Sequence, residues 1–213
     1  VVVWGLALLA AAVVALIVLI RPPSWWDPIV PGDAAAADRA EAFEQGCVGE
    51  IHRVRESADP WAIRIREADV NAWLGARLGK WCRHVGVPEI GPAQVRFSEG
   101  TIEVALEAPG LPSVAVARFA PRVEVESERL LAGLEGMALG RLPLTALTRS
   151  AFAAVAQSLL GAEGEIGTAA RLLSDESIDP TFELADGRML RIRDLEVRDG
   201  ELVVEFVKAE RGR

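Results

Sequence analysis

Twenty residues without a charge, "VVVWGLALLAAAVVALIVLI", run from Val1 to Ile20. No other feature restricts the fold as much, because such a run must be buried in protein or in lipid. As a helix it would be about 30 Å long, the thickness of a bilayer's hydrocarbon core. Arg21, Pro22 and Pro23 stop the run, and Trp25 and Trp26 follow where amphipathic rings settle at the headgroup level. The competing reading is a cleaved signal peptide. Its apolar core is usually only about 7–15 residues long, and the nearest small-residue site, Ala34 to Ala37, lies well beyond the run. The expectation is an uncleaved transmembrane anchor over 1–20. The first residue is Val rather than Met, so further residues are expected upstream. A cytoplasmic N-terminus with the folded domain outside is the usual outcome for one such anchor.

All 31 acids and 23 bases lie outside the run, so the rest of the chain carries the whole net charge of −8. That argues against a nucleic-acid partner, which needs a basic surface. It also argues against polybasic attachment to anionic lipid. About 190 residues remain, enough for one sizeable domain with a stalk.

Residues 21–33, "RPPSWWDPIVPGD", hold four prolines and predict a stiff, extended exit from the membrane. Asp33 is a candidate N-cap for a helix over about 34–56. Its apolar positions are Ala40, Phe43, Cys47, Val48, Ile51 and Val54. Residues 21–57 are thus expected to form the exit and an amphipathic stalk helix, and 58–213 an extracytoplasmic domain. Within that domain "DPWAIRI" alternates as a strand. "READVNAWLGARLGKW" then predicts a helix over 66–81, with Val70, Trp73, Leu74, Leu78 and Trp81 on one stripe. Asn71, the chain's single asparagine, sits at the border of that stripe. We expect it to tie the helix to backbone groups of a neighbouring strand or loop.

From Gln94 onward the period changes to two. "QVRFSEGTIEVALEAP" predicts a hairpin turning at Glu99–Gly100, and "EVRDGELVVEFVKAE" another at Asp199–Gly200. "EGTIEVAL" and "DGELVVEF" align residue for residue. Either a degenerate repeat or the common grammar of hairpins accounts for this, and we take the second. "GRLPLTALTRSAFAAVAQSLLG" returns to helical spacing, with Leu144, Leu147, Phe152, Val155 and Leu159 in line, and a short helix is predicted over 166–173. The fold class expected is α+β: the N-terminal transmembrane helix, then a twisted antiparallel sheet of hairpins packed with helices.

Chemistry is sparse. The histidines are His52 and His84, and neither lies in a carboxylate or cysteine pattern that would hold zinc. Cys82 and His84 are two apart on a helix and point in different directions. Cys47 and Cys82 both fall on apolar faces and read as buried thiols, with a disulfide as the alternative. Phosphate-binding glycine loops are missing from the sequence. Glu124 and Glu126 alternate with Val123 and Val125 and read as the wet face of a strand. Arg188, Arg191, Arg193 and Arg198 suit an anionic ligand site or, more simply, a solvated strand face. No catalytic residue, metal or cofactor is therefore expected. The wide apolar stripes either close over a dry core or leave a groove for a hydrophobic ligand, which Trp73, Leu74, Trp81, Phe152 and Val155 would line.

The order of an apolar start, "IREADVNAWLGARL", the hairpins "VRFSEGTIEVAL" and "VEVESERLLAGL", and then "GRLPLTAL" resembles the YpmS-like small membrane-anchored proteins of bacteria. It also resembles the wider TULIP-like lipid-binding proteins. Glu67, Asn71 and Leu74 match their acid-x-x-x-Asn-x-x-Leu helix start, while Arg66 stands where those relatives carry a Thr or Ser cap. The resemblance implies an extracytoplasmic domain at the bacterial cytoplasmic membrane. Its expected partners are the lipid bilayer and a hydrophobic ligand, and its function is non-catalytic lipid binding. A scaffold or assembly protein of a cell-envelope complex is the alternative, drawn from the amphipathic helix at 34–56.

Overall fold

The computed structural model describes residues 18–55, 59–86, 91–107, 110–124, 128–144 and 177–209. Helix α1 spans Ala34–His52 and helix α2 spans Glu67–Val85. Eleven strands follow the chain as β1 (Trp61–Arg66), β2 (Ala93–Ser98), β3 (Thr101–Leu106), β4 (Ala115–Phe119), β5 (Arg122–Glu124), β6 (Arg129–Leu131), β7 (Leu134–Leu139), β8 (Leu142–Pro143), β9 (Thr181–Glu183), β10 (Met189–Arg198) and β11 (Glu201–Ala209). They form a four-stranded sheet in the order β1-β11-β10-β9, a five-stranded sheet β2-β3-β4-β7-β8, and the β5-β6 hairpin.

This corrects the α+β expectation. Among the described residues strand exceeds helix, 41% against 27%, so the described fold is mainly β, with the two helices α1 and α2. Strand dominates because period-two segments fill most of the described chain after Gln94. Among the described residues no helix is long and apolar enough to cross a membrane. The transmembrane helix expected over 1–20 is therefore no part of the described fold, and its residues 1–17 lie outside the described residues. The helix expected up to Gly161, from residue 145 on, and the one expected over 166–173 fall outside them as well. Pro143 ends β8, paired with Ala138.

Both helices have legible ends. The Asp33 carboxylate accepts from the N–H groups of Ala35 and Ala36 and caps α1. Arg66 gives α2 no side-chain cap, but the first N–H, on Glu67, donates to the carbonyl of Gly200 at 2.9 Å. Gly86, at φ 72°, closes α2 in the left-handed conformation, with its N–H on the Cys82 carbonyl.

The apolar face of the four-stranded sheet is Trp61, Ile63 and Ile65 on β1 opposite Phe206, Val204 and Leu202 on β11. Cys47 and Ile51 of α1 pack on it. The outer face carries ion pairs, Arg64 with Glu201 and Arg193 with Glu205 among them. A register shift between Ile192 and Asp194 marks a bulge in β10. The two larger sheets share a core where Val95 and Phe97 of β2 meet Val197 of β10, with Val70 and Leu74 of α2 and Leu202 against them.

The segment expected to stand clear as a stalk exit lies across the five-stranded sheet instead. The N–H of Arg141 donates to the Leu19 carbonyl at 2.8 Å, and its Nε to the Pro22 carbonyl at 3.2 Å. Trp25 and Trp26 then pack on the cluster of Ala105, Val114 and Val116, as Ala138 does. On the far edge strand, Gln94 takes the Asp27 N–H on Oε1 at 2.7 Å and donates from Nε2 to the Trp25 carbonyl at 3.0 Å. The strap ends over α2, where a Cβ on Gly75 would lie 2.7 Å from Ile29 Cγ2.

Candidate functional site

Part of the α2 stripe that suggested a ligand groove is engaged in packing and hydrogen bonds. Asn71 Oδ1 accepts from the Val95 N–H at 2.8 Å, and Asn71 Nδ2 donates to the Val95 carbonyl at 3.0 Å. One turn earlier, Glu67 Oε2 accepts from the Phe97 N–H at 2.6 Å. The Phe97 carbonyl accepts from the Gly200 N–H at 3.2 Å. Strand β2 is an edge of its sheet, and these four bonds fill the outward groups of Val95 and Phe97. The spacing explains the fit. Four helical residues rise about 6 Å, and two strand residues about 6.6 Å. Side chains at i and i+4 therefore meet alternate residues of a strand, standing in for a neighbouring strand.

Trp73 donates its indole N–H to Glu44 on α1 at 2.8 Å, and Leu74 belongs to the shared core. Trp81 is half-buried in the last turns of α2. Phe152 and Val155 lie outside the described residues. None of Trp73, Leu74 and Trp81 lines either of the two clefts described below.

The first cleft, about 350 Å³, opens where α1 ends beside β1, β10 and β11. Its apolar side is Ile51, Trp61, Met189 and Leu190, and its charged side chains are Arg53, Arg55, Arg188 and Lys208. The Arg55 guanidinium lies 3.5 Å above the Trp61 ring, whose centroid is 4.8 Å from that of Phe206, with 26° between the two planes. Arg188 donates to the His52 carbonyl at 2.7 Å and the Arg53 carbonyl at 3.2 Å, and Lys208 to the Arg55 carbonyl at 2.6 Å. These carbonyls end the helix, where its dipole favours cations. Two carboxylates stand behind the wall. Glu50 pairs with Arg55 at 2.8 Å, and Asp186 with Arg188 at 2.7 Å. The hydrogen bond from the Arg188 side chain holds the Asp186 carboxyl below its ordinary range.

The second cleft, about 650 Å³, lies beside the strap and includes Trp25, Arg96, Glu103, Arg118, Glu135 and Arg141. Glu103 is buried and pairs with Arg118 at 2.6 Å and Arg96 at 3.9 Å. The bond to Glu103 raises the Arg118 guanidinium further. Its charges are of both signs and largely answer one another.

The four arginines of the C-terminal half separate. Arg188 reaches the first cleft, while Arg191 pairs with Glu128, Arg193 with Glu205, and Arg198 with Glu196 and Glu201. Arg53, Arg55, Trp61 and Lys208 were absent from the sequence-based site. Nothing local links them, since Lys208 and Arg55 are 153 residues apart. Cys47 and Cys82 are free thiols. Among the described residues no group of His, Cys, Asp and Glu is placed to hold a metal. Compared with known proteins, the chain matches no family, no curated sequence and no solved structure.

Proposed function

We propose that this chain is a membrane-tethered, non-catalytic domain of the bacterial cell envelope, outside the cytoplasmic membrane, that binds a lipid-like amphiphile. The supporting observation is the first cleft, where Ile51, Met189 and Leu190 share one wall with basic side chains. An apolar wall beside a charged rim suits a ligand with a tail and a head. The uncharged run Val1–Ile20 gives the tether its basis. The likeness to YpmS-like and TULIP-like proteins enters as part of the same proposal. Lipid extraction and mass spectrometry of the purified full chain test it. A co-purifying amphiphile in near-stoichiometric amount is expected, and a chain that stays empty after exposure to membrane extract would sink the idea.

A scaffold role is the second reading. Val48 and Val54, 57% and 77% exposed at the end of α1, offer a protein partner apolar contact. Crosslinking in membranes separates the two, because only a scaffold needs a stoichiometric protein partner.

A further inference from the structure

The geometry points to an anionic head group, a phosphate or carboxylate, as what the cleft at the end of α1 recognises, with Arg188 and Lys208 as the reading pair. The inference rests on the amphiphile reading and names its ligand class.

Charge placement carries it. The chain has a net charge of −8, yet among the described residues every charged one lining this cleft is basic: Arg53, Arg55, Arg188 and Lys208. Against these cations stand Glu50, bonded to Arg53 and Arg55, and Asp186, bonded to Arg188. Among the described residues, two carboxylates facing four cations leave a positive excess in one concavity. Helix-end capping explains where these side chains anchor, but a helix C-terminus carries only about half a negative charge. It does not absorb the excess.

The donors are also incompletely used. Lys208 bonds the Arg55 carbonyl, and an ammonium has three N–H donors. Arg188 is fixed by the Asp186 carboxylate and two backbone carbonyls, so its guanidinium is oriented before a ligand arrives. Pre-orientation lowers the ordering cost of binding. Below the cations, Ile51 and Met189 are half-buried and give a short hydrocarbon segment somewhere to lie. The strap cleft lacks this bias, because Glu103 and Glu135 line it beside its arginines.

The test uses the full chain in titrations with dodecyl phosphate, dodecyl maltoside and inorganic phosphate. Dodecyl phosphate is expected to bind and to weaken with added salt. The R188Q/K208Q pair should bind it about tenfold or more weakly. Met189→Glu, which removes no cap, should weaken it similarly if the first pair is poorly folded. Arg193→Gln, on the outer face, should leave it unchanged. Wild-type affinity in both folded cleft variants would overturn the head-group assignment while leaving amphiphile binding in place. Equal affinity for dodecyl maltoside would do the same. Inorganic phosphate binding as tightly as dodecyl phosphate would keep the anion site and overturn the amphiphile. No binding of any of the three probes would overturn both readings.

Discussion

Gly100 and Gly200 lock two hairpin turns together by reciprocal bonds. The N–H of Gly100 donates to the Val197 carbonyl at 2.9 Å, and the N–H of Gly200 to the Phe97 carbonyl at 3.2 Å. Asp199 Oδ1 also accepts from the Glu99 N–H at 3.2 Å. The two stretches that align in sequence thus meet turn to turn, at a constant offset, and join the two larger sheets. Both glycines have positive φ, 71° and 75°.

Neither glycine has an atom near its would-be Cβ, so a substitution there meets only backbone strain. Gly100→Ala and Gly200→Ala should each destabilise by about 1–2 kcal/mol, read as lower urea midpoints with an unchanged slope. The double variant should lose less than the sum, because both glycines support one junction.

Asn71→Ala removes both bonds to Val95 and leaves an edge-strand N–H and carbonyl unanswered. A loss of roughly 1–3 kcal/mol is expected. Glu67→Gln keeps an acceptor for the Phe97 N–H and should cost less. Amide exchange should rise first at Val95 in the Asn71 variant. Unchanged protection there would count against the strand-substitute role.

Gly75→Val should lift the strap from α2, since even a Cβ would stand 2.9 Å from the Ile29 carbonyl oxygen. Limited proteolysis within residues 21–32 should accelerate while the hairpin junction keeps its exchange protection. Equal cleavage rates in both proteins would mean that the strap is already loose.

Burial, with Asp69 adding to it, pushes the Cys47 thiol above its ordinary range. The unfolded thiol thus ionises at lower pH than the folded one. Its contribution is constant below about 8.5 and shrinks as pH rises past that value. Alkylation of Cys47 at pH 8 should be slower than that of a free peptide thiol. Cys82, fully buried, should react only after denaturant is added. Rapid labelling of Cys82 in the native protein would contradict the packing of α2.

What could be read from the sequence is what is local. The turns at Glu99–Gly100 and Asp199–Gly200 follow from a two-residue turn between alternating runs. The Asp33 cap follows from one side chain before a helical period. Strand partners are not local. Ile63 pairs with Val204, and no neighbouring residue announces it. Trp25 and Trp26 sit beside an apolar run, and a membrane surface and a sheet of small residues ask the same thing of them. Only the fold gathers Ala105, Val114 and Val116 beneath them. The Trp73 stripe shows that the ring needs cover, but not that its N–H meets Glu44 from the preceding helix. The basic cleft is assembled from the end of α1 and both long strands, so no window of sequence contains it.

The strap also sets how the domain is carried. Thirteen proline-rich residues, 21–33, held free and extended would span about 40 Å, a leash on which the domain could swing. Pinned at Arg141, at the tryptophans and at Gln94, they act as a hilt. Under the proposed tethering, a pull from ahead of Val18 would reach the five-stranded sheet through these contacts. The strap and the sheet beneath it would then move as one piece, with no free leash between them.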